Sequence, residues 1–389
     1  VHKKLMAACF IHGKGQEVRE FGATTRELLE LADWLSQGGC QMVAMESTAS
    51  YWKPLYNILE SSGLEAMVVN ARHLKAVPGR KTDAKDSEWI ADLLQHGLLQ
   101  AGYIPARAQR ELRELVSYRK SLAQDRTREL NRLQKMLEGA NIKLSGTVAD
   151  INGKSARNIL DTVLSGTGVD SAKYDEMYSK NVIAHNLKAS KEQIIDDLNG
   201  VMSPLQRKMM RELLAHVDEL DAHIRHLDDD IDGHMKQDEK QAVDAIRPVT
   251  GPGAKSAQAV ISVIGTDMGR FPTDAHISSW AGLCPGDNES AKKRRSGKTR
   301  KGNSLLRSTL IVCAHSAAKV KDSYFHAQFQ RVSAHRGSKR AYVAVAHSML
   351  IAIYHILKDG VEFKDLGADY YNQFNKSFPI CRTIEIRQT

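Results

Sequence analysis

QMVAMESTASYWKPLYNILESSGLEAMVVN, residues 41–70, reads as strand, helix, strand. QMVAME (41–46) is a short apolar run of the kind that forms a buried strand. YWKPLYNILESSG (51–63) has helical spacing and stops at Gly63, and EAMVVN (65–70) is again a strand. Outward from this unit the alternation continues. LMAACFI (5–11) and QEVREFG (16–22) flank the turn HGKG and predict paired strands. TTRELLELADWLSQ (24–37) predicts a helix with a threonine start. DAKDSEWIADLLQHG (83–97) predicts an amphipathic helix with a stop at Gly97. Strands followed by helices in this order imply an α/β layer fold with a mixed sheet.

The pattern changes near residue 107. From there to about 144 the chain is helical, with Leu112, Leu115, Leu122, Leu130, Leu133 and Leu137 near heptad spacing. A second long helical stretch runs from about 188 to 236, with a break or a kink at Ser203-Pro204. The two predict an antiparallel coiled-coil arm with 145–187 at its tip; a plain helical bundle fits the same periodicity. A third region begins near 245. Its GPG turn (251–253) between helical stretches could aim backbone N–H groups at a phosphate or could be a plain connector.

The chain has 389 residues, 42% hydrophobic and 26% charged, with a net charge of +9. That balance favours a polyanionic partner, nucleic acid first. No apolar run approaches the ~18 residues of a membrane span, and no signal-peptide layout opens the sequence. The expected location is therefore cytoplasmic. Five scattered cysteines with no CxxC pair argue against a disulfide scaffold and a structural zinc site.

Two clusters carry chemistry. Asp83 and Asp86 stand three apart at a helix start, and Glu46 ends the strand QMVAME. Carboxylates at such places hold divalent metal in phosphodiester enzymes, because Mg²⁺ takes oxygen ligands and keeps several waters. The same acids also complement a helix dipole or cap a helix without any metal. Ser47 and Thr48 are candidate supporting donors. The second cluster is GDNESAKKRRSGKTRKGNSLLRSTL (286–310). Between Ala291 and Asn303 lie Lys292, Lys293, Arg294, Arg295, Lys298, Arg300 and Lys301 with no acid among them, a patch for phosphate backbone or a solvated loop. Ser290 and Ser296 are the candidate nucleophiles there. A serine needs an activating base or metal and cations around the phosphoryl oxygens, and no Ser/His/Asp layout singles out a base.

Four stretches, VHKK at the start, MESTASYWKPLY (45–56), GRKTDAKDSEWIADLLQHGLL (79–99) and WAGLCPGDNESAKKRRSGKTRKGNSLLR (280–307), resemble the DEDD transposases of bacterial insertion sequences. The nearest branch is the eleven-eleven subgroup of the one-ten insertion-sequence family. The resemblance implies a RuvC-like, ribonuclease-H-type domain at 1–104, a helical coiled-coil arm at 105–240 and a mainly helical C-terminal transposase domain at 241–389. It implies excision and insertion of circular element DNA, guided by a bridge RNA that pairs with donor and target DNA. It also implies a phosphoserine intermediate, with Mg²⁺ beside it in a composite site made between protomers. The family's glutamate falls on Glu46, its paired aspartates on Asp83 and Asp86, and its nucleophile on Ser290 in preference to Ser296. A homo-oligomer, a dimer pairing into a tetramer on DNA, is the expected working form.

Two departures stand out. In the family the serine–small-residue step is usually followed by glycine, whereas here Ser290-Ala291 is followed by Lys292. Its first strand normally ends in an aspartate just before the VHKK-like motif, whereas here no acid precedes Glu17. A misplaced start or a trimmed chain is the expected cause, a decayed element the alternative. The rival functions are a metal-dependent junction resolvase that cuts with water, and a catalytically dead nucleic-acid-binding form.

Overall fold

The computed structural model describes residues 3–13, 15–70, 83–166, 168–183, 189–285, 289–290, 293–294, 298–299 and 301–371. The chain divides into two compact units, Val1–Ala106 and Arg107–Thr389.

The first unit opens on the hairpin read from the sequence. β1 (Leu5–His12) and β2 (Gly15–Gly22) pair antiparallel, in register from Leu5↔Gly22 to His12↔Gly15. Gly13 takes φ 56°, which the two-residue turn between them requires. α1 (Thr25–Gln37) starts on a capping box in which Thr24 and Glu27 satisfy each other's backbone N–H groups. β3 (Met42–Glu46), α2 (Trp52–Ser61) and β4 (Glu65–Val69) form a βαβ unit whose strands pair in parallel, Met42↔Glu65 to Glu46↔Val69. α3 (Asp83–Gln95) follows. Leu28, Leu31 and Leu35 of α1, Leu55 and Leu59 of α2, and Met6, Met45 and Val68 of the strands form the core.

The single mixed sheet expected from the sequence is not what the described residues form. They form two separate two-stranded sheets, β1–β2 and β3–β4. β1, β3 and α3 line a cavity of about 760 Å³, and β1 and β3 make no ladder.

The second unit is built on two long antiparallel helices. α4 (Arg107–Gly139) spans about 50 Å at 1.5 Å per residue. α5 (Leu144–Thr147), α6 (Lys154–Ser165), α7 (Ser171–Ser179) and α8 (Lys191–Leu198) follow, and α9 (Pro204–His234) returns alongside α4. The break read at Ser203-Pro204 is the start of α9. Ser203 is its N-cap, Gln206 completes a capping box, and Pro204 occupies the first turn, where no backbone donor is lost. Arg119 pairs with Asp228 at 2.9 Å and Arg126 with Asp221 at 2.5 Å, which fixes the antiparallel register. At one end of the pair, Leu133, Leu137, Met210 and Leu214 join α5–α8 in a helical head around Ile159, Leu160 and Ile194.

At the other end the pair enters a second helical core. α10 (Gln237–Ile246), α11 (Ala254–Ile264), a 3-10 turn (Met268–Arg270), α12 (Asp274–Trp280), α13 (Ser304–Ala317), α14 (Tyr324–Arg336) and α15 (Ser338–Asp359) build it. Leu112, Val116 and Ile231 share this core with Val260, Leu310 and Met349, so the packing is continuous across residue 240.

One helix departs from the hydropathy reading. α15 has 22 residues and is long and apolar enough to cross a membrane. Its apolar residues Ala341, Val345, Met349, Leu350 and Ile353 are instead buried in the helical core, and Lys339 and Arg340 stand in its first turn.

Candidate active-site residues and the basic hairpin

Glu46 is placed by the end of a parallel strand. The Ser47 N–H donates to Val69 O at 2.9 Å, extending the ladder one step, and the Thr48 N–H turns back to Glu46 O. Ala49 then takes φ 47°, an uncommon value for a residue with a Cβ, and the chain enters α2. The sharp turn leaves Glu46 half-buried at the mouth of the βαβ crossover.

Glu46 lines the cavity between β1 and β3, and so does Asp86 on α3, which is exposed. The structure thus brings two of the three carboxylates singled out from the sequence to one cavity. Asp83 is the first residue of α3, one turn before Asp86; its side chain lies outside the described residues. His12 and Thr48 line the same cavity. His12 was not legible as a site residue, because its only sequence signal is its place beside a hairpin turn.

Apolar residues such as Met6, Ala8, Val43 and Leu94 form much of the remaining wall, with Gln41, Ser87 and Gln95 among them. Cys9 and Cys40 line it too. Burial pushes both thiols up, with the Glu88 charge adding to the effect on Cys9 and a backbone hydrogen bond at Met42 opposing it on Cys40. Both are therefore held as thiols, and the oxygen donors are what the cavity offers a cation. Among the described residues no three His, Cys, Asp or Glu side chains group closely enough to hold a metal ion. Two carboxylates lining one cavity still fit the habit of Mg²⁺, which takes few protein oxygens and keeps its waters.

In the second unit the described residues of the basic stretch include a short hairpin ladder. β5 (Glu289–Ser290) pairs antiparallel with β6 (Lys293–Arg294), Glu289↔Arg294 and Ser290↔Lys293, and Pro285 bridges Thr299 below. Its base is tied to the helical core. A Cβ on Gly302 would overlap the backbone of Ala281 and Gly282, so only glycine allows this approach. Arg307 donates to Gly282 O from α13, and Asn303 caps that helix by accepting from the Leu306 N–H at 3.0 Å. Lys298 and Lys301 are exposed. Lys293 and Arg294 are placed by backbone only. Lys292, Arg295, Arg300 and Ser296 lie outside the described residues.

Comparison with known families decides the class. A transposase model, DEDD_Tnp_IS110, matches residues 1–142. A second, the transposase IS116/IS110/IS902 family, matches residues 243–330. The chain belongs to the IS110-family DEDD transposases. The first match contains Glu46, Asp83 and Asp86, and the second contains the whole basic hairpin with Ser290. No curated protein matches the sequence closely enough to count as a relative. As an IS110-family transposase the protein acts on DNA.

Proposed function

We propose that this transposase is an RNA-guided DNA recombinase of an insertion sequence, using Ser290 as nucleophile and Mg²⁺ held by Glu46, Asp83 and Asp86. The observation that carries the reading is the convergence of Glu46 and Asp86 on one cavity in a chain that also holds a serine on the backbone of a cation-rich hairpin. The strand hairpin followed by a βαβ unit with a carboxylate at its strand end supports a RuvC-like first unit. The resemblance supplies the bridge RNA as guide, and the basic balance of the chain suits both nucleic acids.

In the reaction Ser290 Oγ attacks a phosphorus of the DNA strand. The new O–P bond forms as one bridging P–O bond breaks, and the departing strand oxygen takes up a proton as a hydroxyl. Rejoining is the reverse attack by a strand hydroxyl on the phosphoserine, which frees the serine. Lys292, Lys293, Arg294, Arg295, Lys298, Arg300 and Lys301 neutralise phosphate oxygens around this exchange. Bound Mg²⁺ would supply further charge neutralisation and fix the phosphate. The enzyme works in the cytoplasm as a homo-oligomer, a dimer pairing into a tetramer on DNA.

The test is a suicide DNA substrate with bridge RNA and Mg²⁺. A covalent protein–DNA adduct that disappears in Ser290→Ala supports the reading. Cleavage without any adduct points to a junction resolvase that cuts with water, and sinks the serine assignment.

A further inference from the structure

The helices after the basic hairpin carry a second positive surface with a different character. Between Asn303 and Tyr354 the sequence has seven Lys or Arg residues and one acid, Asp322. Arg307 and Arg331 are engaged, the first with Gly282 O and the second over the Tyr371 ring. Lys319, Arg336, Lys339 and Arg340 are exposed and make no ion pair among the described residues. Cations left without carboxylates on a folded helical surface are available to an anionic ligand.

A ring stack lies among them. The His315 ring, on the last turn of α13, sits face to face with Tyr342 of α15, with centroids 3.5 Å apart and planes 19° from parallel. Phe329 of α14 packs on Tyr342 at 4.6 Å. Tyr342 and Phe329 are half-buried, while His315 is exposed and has no other ring partner among the described residues. The inner rings therefore hold the outer one rigid, and His315 offers a flat face to solvent.

Charge and apolar surface flank this face at helical spacing. Val312, 60% exposed, is three residues before His315, and Ser308 is four before that, so the three share a stripe of about 10 Å along α13. At the near end of the stripe, Lys120 donates to Ser308 Oγ at 2.6 Å and to Thr309 Oγ1 at 3.2 Å. At the far end, Lys319 lies in the turn that closes α13. Lys339 stands three residues before Tyr342, on the same side of α15.

We infer that this stripe is a seat for an unpaired nucleic-acid strand, with one base stacked on His315 and phosphates on Lys120, Lys319 and Lys339. A stacking ring flanked by cations accepts any base, because every base has a flat face, and it gives no equal purchase on a duplex whose bases are already stacked. The seat follows the basic hairpin directly in sequence. It therefore suits a strand displaced or unpaired during recombination, and it rests on the nucleic-acid reading above.

The experiment measures binding of the full-length protein to labelled oligothymidine, oligouridine and a short DNA duplex across a salt series. His315→Ala is expected to weaken single-strand binding about 5- to 100-fold and duplex binding less than about twofold. His315→Phe restores the stack and the affinity. Lys319→Gln with Lys339→Gln is expected to reduce the salt slope on single strands by about 1 to 1.5, as two lost phosphate contacts require. The ratio of oligothymidine to oligouridine affinity tells whether the strand is DNA or RNA. Unchanged single-strand affinity in His315→Ala, an equal loss on duplex, or a loss that phenylalanine does not restore overturns the seat alone. Wild-type protein that binds neither form overturns both the seat and the nucleic-acid reading.

Discussion

Ser290 stands opposite Lys293 in the register of a hairpin whose base is bridged by Pro285 and Thr299. The ladder sets the backbone position of Ser290, the candidate to attack phosphorus. Ser290→Ala is expected to take the covalent adduct below detection, with the loss in rate reaching the order of 10⁴-fold or more that removal of a nucleophile produces. Ser296→Ala keeps the adduct. Both variants should bind DNA within about twofold of wild type, since an uncharged hydroxyl contributes little to phosphate binding. A persistent adduct in Ser290→Ala refutes the assignment.

Glu46 and Asp86 reach the same cavity from different elements, a strand end and a helix. Glu46→Gln and Asp86→Asn remove a charge while keeping shape. Each is expected to lower strand cleavage by at least about 10²-fold, the scale for losing one electrostatic contributor in an active site. Nucleic-acid affinity and its salt slope should stay near wild type, because neither change removes a cation. Cleavage at the wild-type rate in either variant would show that the cavity plays no part in the chemistry.

The sequence announced the secondary structure around these residues better than it announced the architecture. The βαβ unit from 41 to 70, the hairpin around Gly13 and the break at Ser203-Pro204 are local events, set by apolar runs, turn glycines and a capping box, and they were legible. The separation of β1–β2 from β3–β4 depends on which strand edges meet, a non-local matter that alternation along one strand does not encode. For the basic stretch, charge density left a phosphate-backbone patch and a solvated loop equally open, and it carried no sign of the anchoring at its end, where Gly302 meets Ala281 and Arg307 donates to Gly282 O. His12 came to the carboxylate cavity without any sequence signal beyond its turn.

Gly302 makes that anchoring testable. Its φ is not in the left-handed region, so the demand for glycine comes from space alone: a Cβ would overlap backbone atoms of Ala281 and Gly282, which cannot swing aside as a side chain could. Gly302→Ala is expected to cost about 1–3 kcal/mol, the range for overpacking a tight contact. Thermal unfolding should show a drop of several degrees. A stronger effect on adduct formation than on stability would show that the strain moves the hairpin. Unchanged melting temperature and activity would mean that the backbone gives way at no cost.

The ion pair between the long helices tests the arm. Arg119 has 9% of its side chain exposed, donates to Asp228 at 2.9 Å, and shares that carboxylate with Lys255. Removing the acid strands a buried guanidinium. Asp228→Ala is expected to destabilise by about 3–5 kcal/mol, while the double change Arg119→Met with Asp228→Leu costs much less, because no unpaired charge remains. Denaturant unfolding of the three proteins checks this. Equal losses in the single and double variants would show that packing, not the charge, is what Asp228 contributes.

His347 gives the fold a pH dependence of known sign. It lies half-buried on α15, where burial pushes its imidazole pKa down, and the Asp274 charge opposes this only in part. The folded protein therefore holds His347 neutral more firmly than the unfolded chain does. Unfolding takes up a proton once pH falls below the unfolded value of about 6.5. The contribution is fully present above that pH and is lost as pH falls through the folded value. Melting temperature should decline over this window, and His347→Gln, which cannot be protonated, should flatten the decline. His335→Gln, at an exposed position, should leave it in place. A wild-type slope retained in His347→Gln would assign the acid sensitivity to another group.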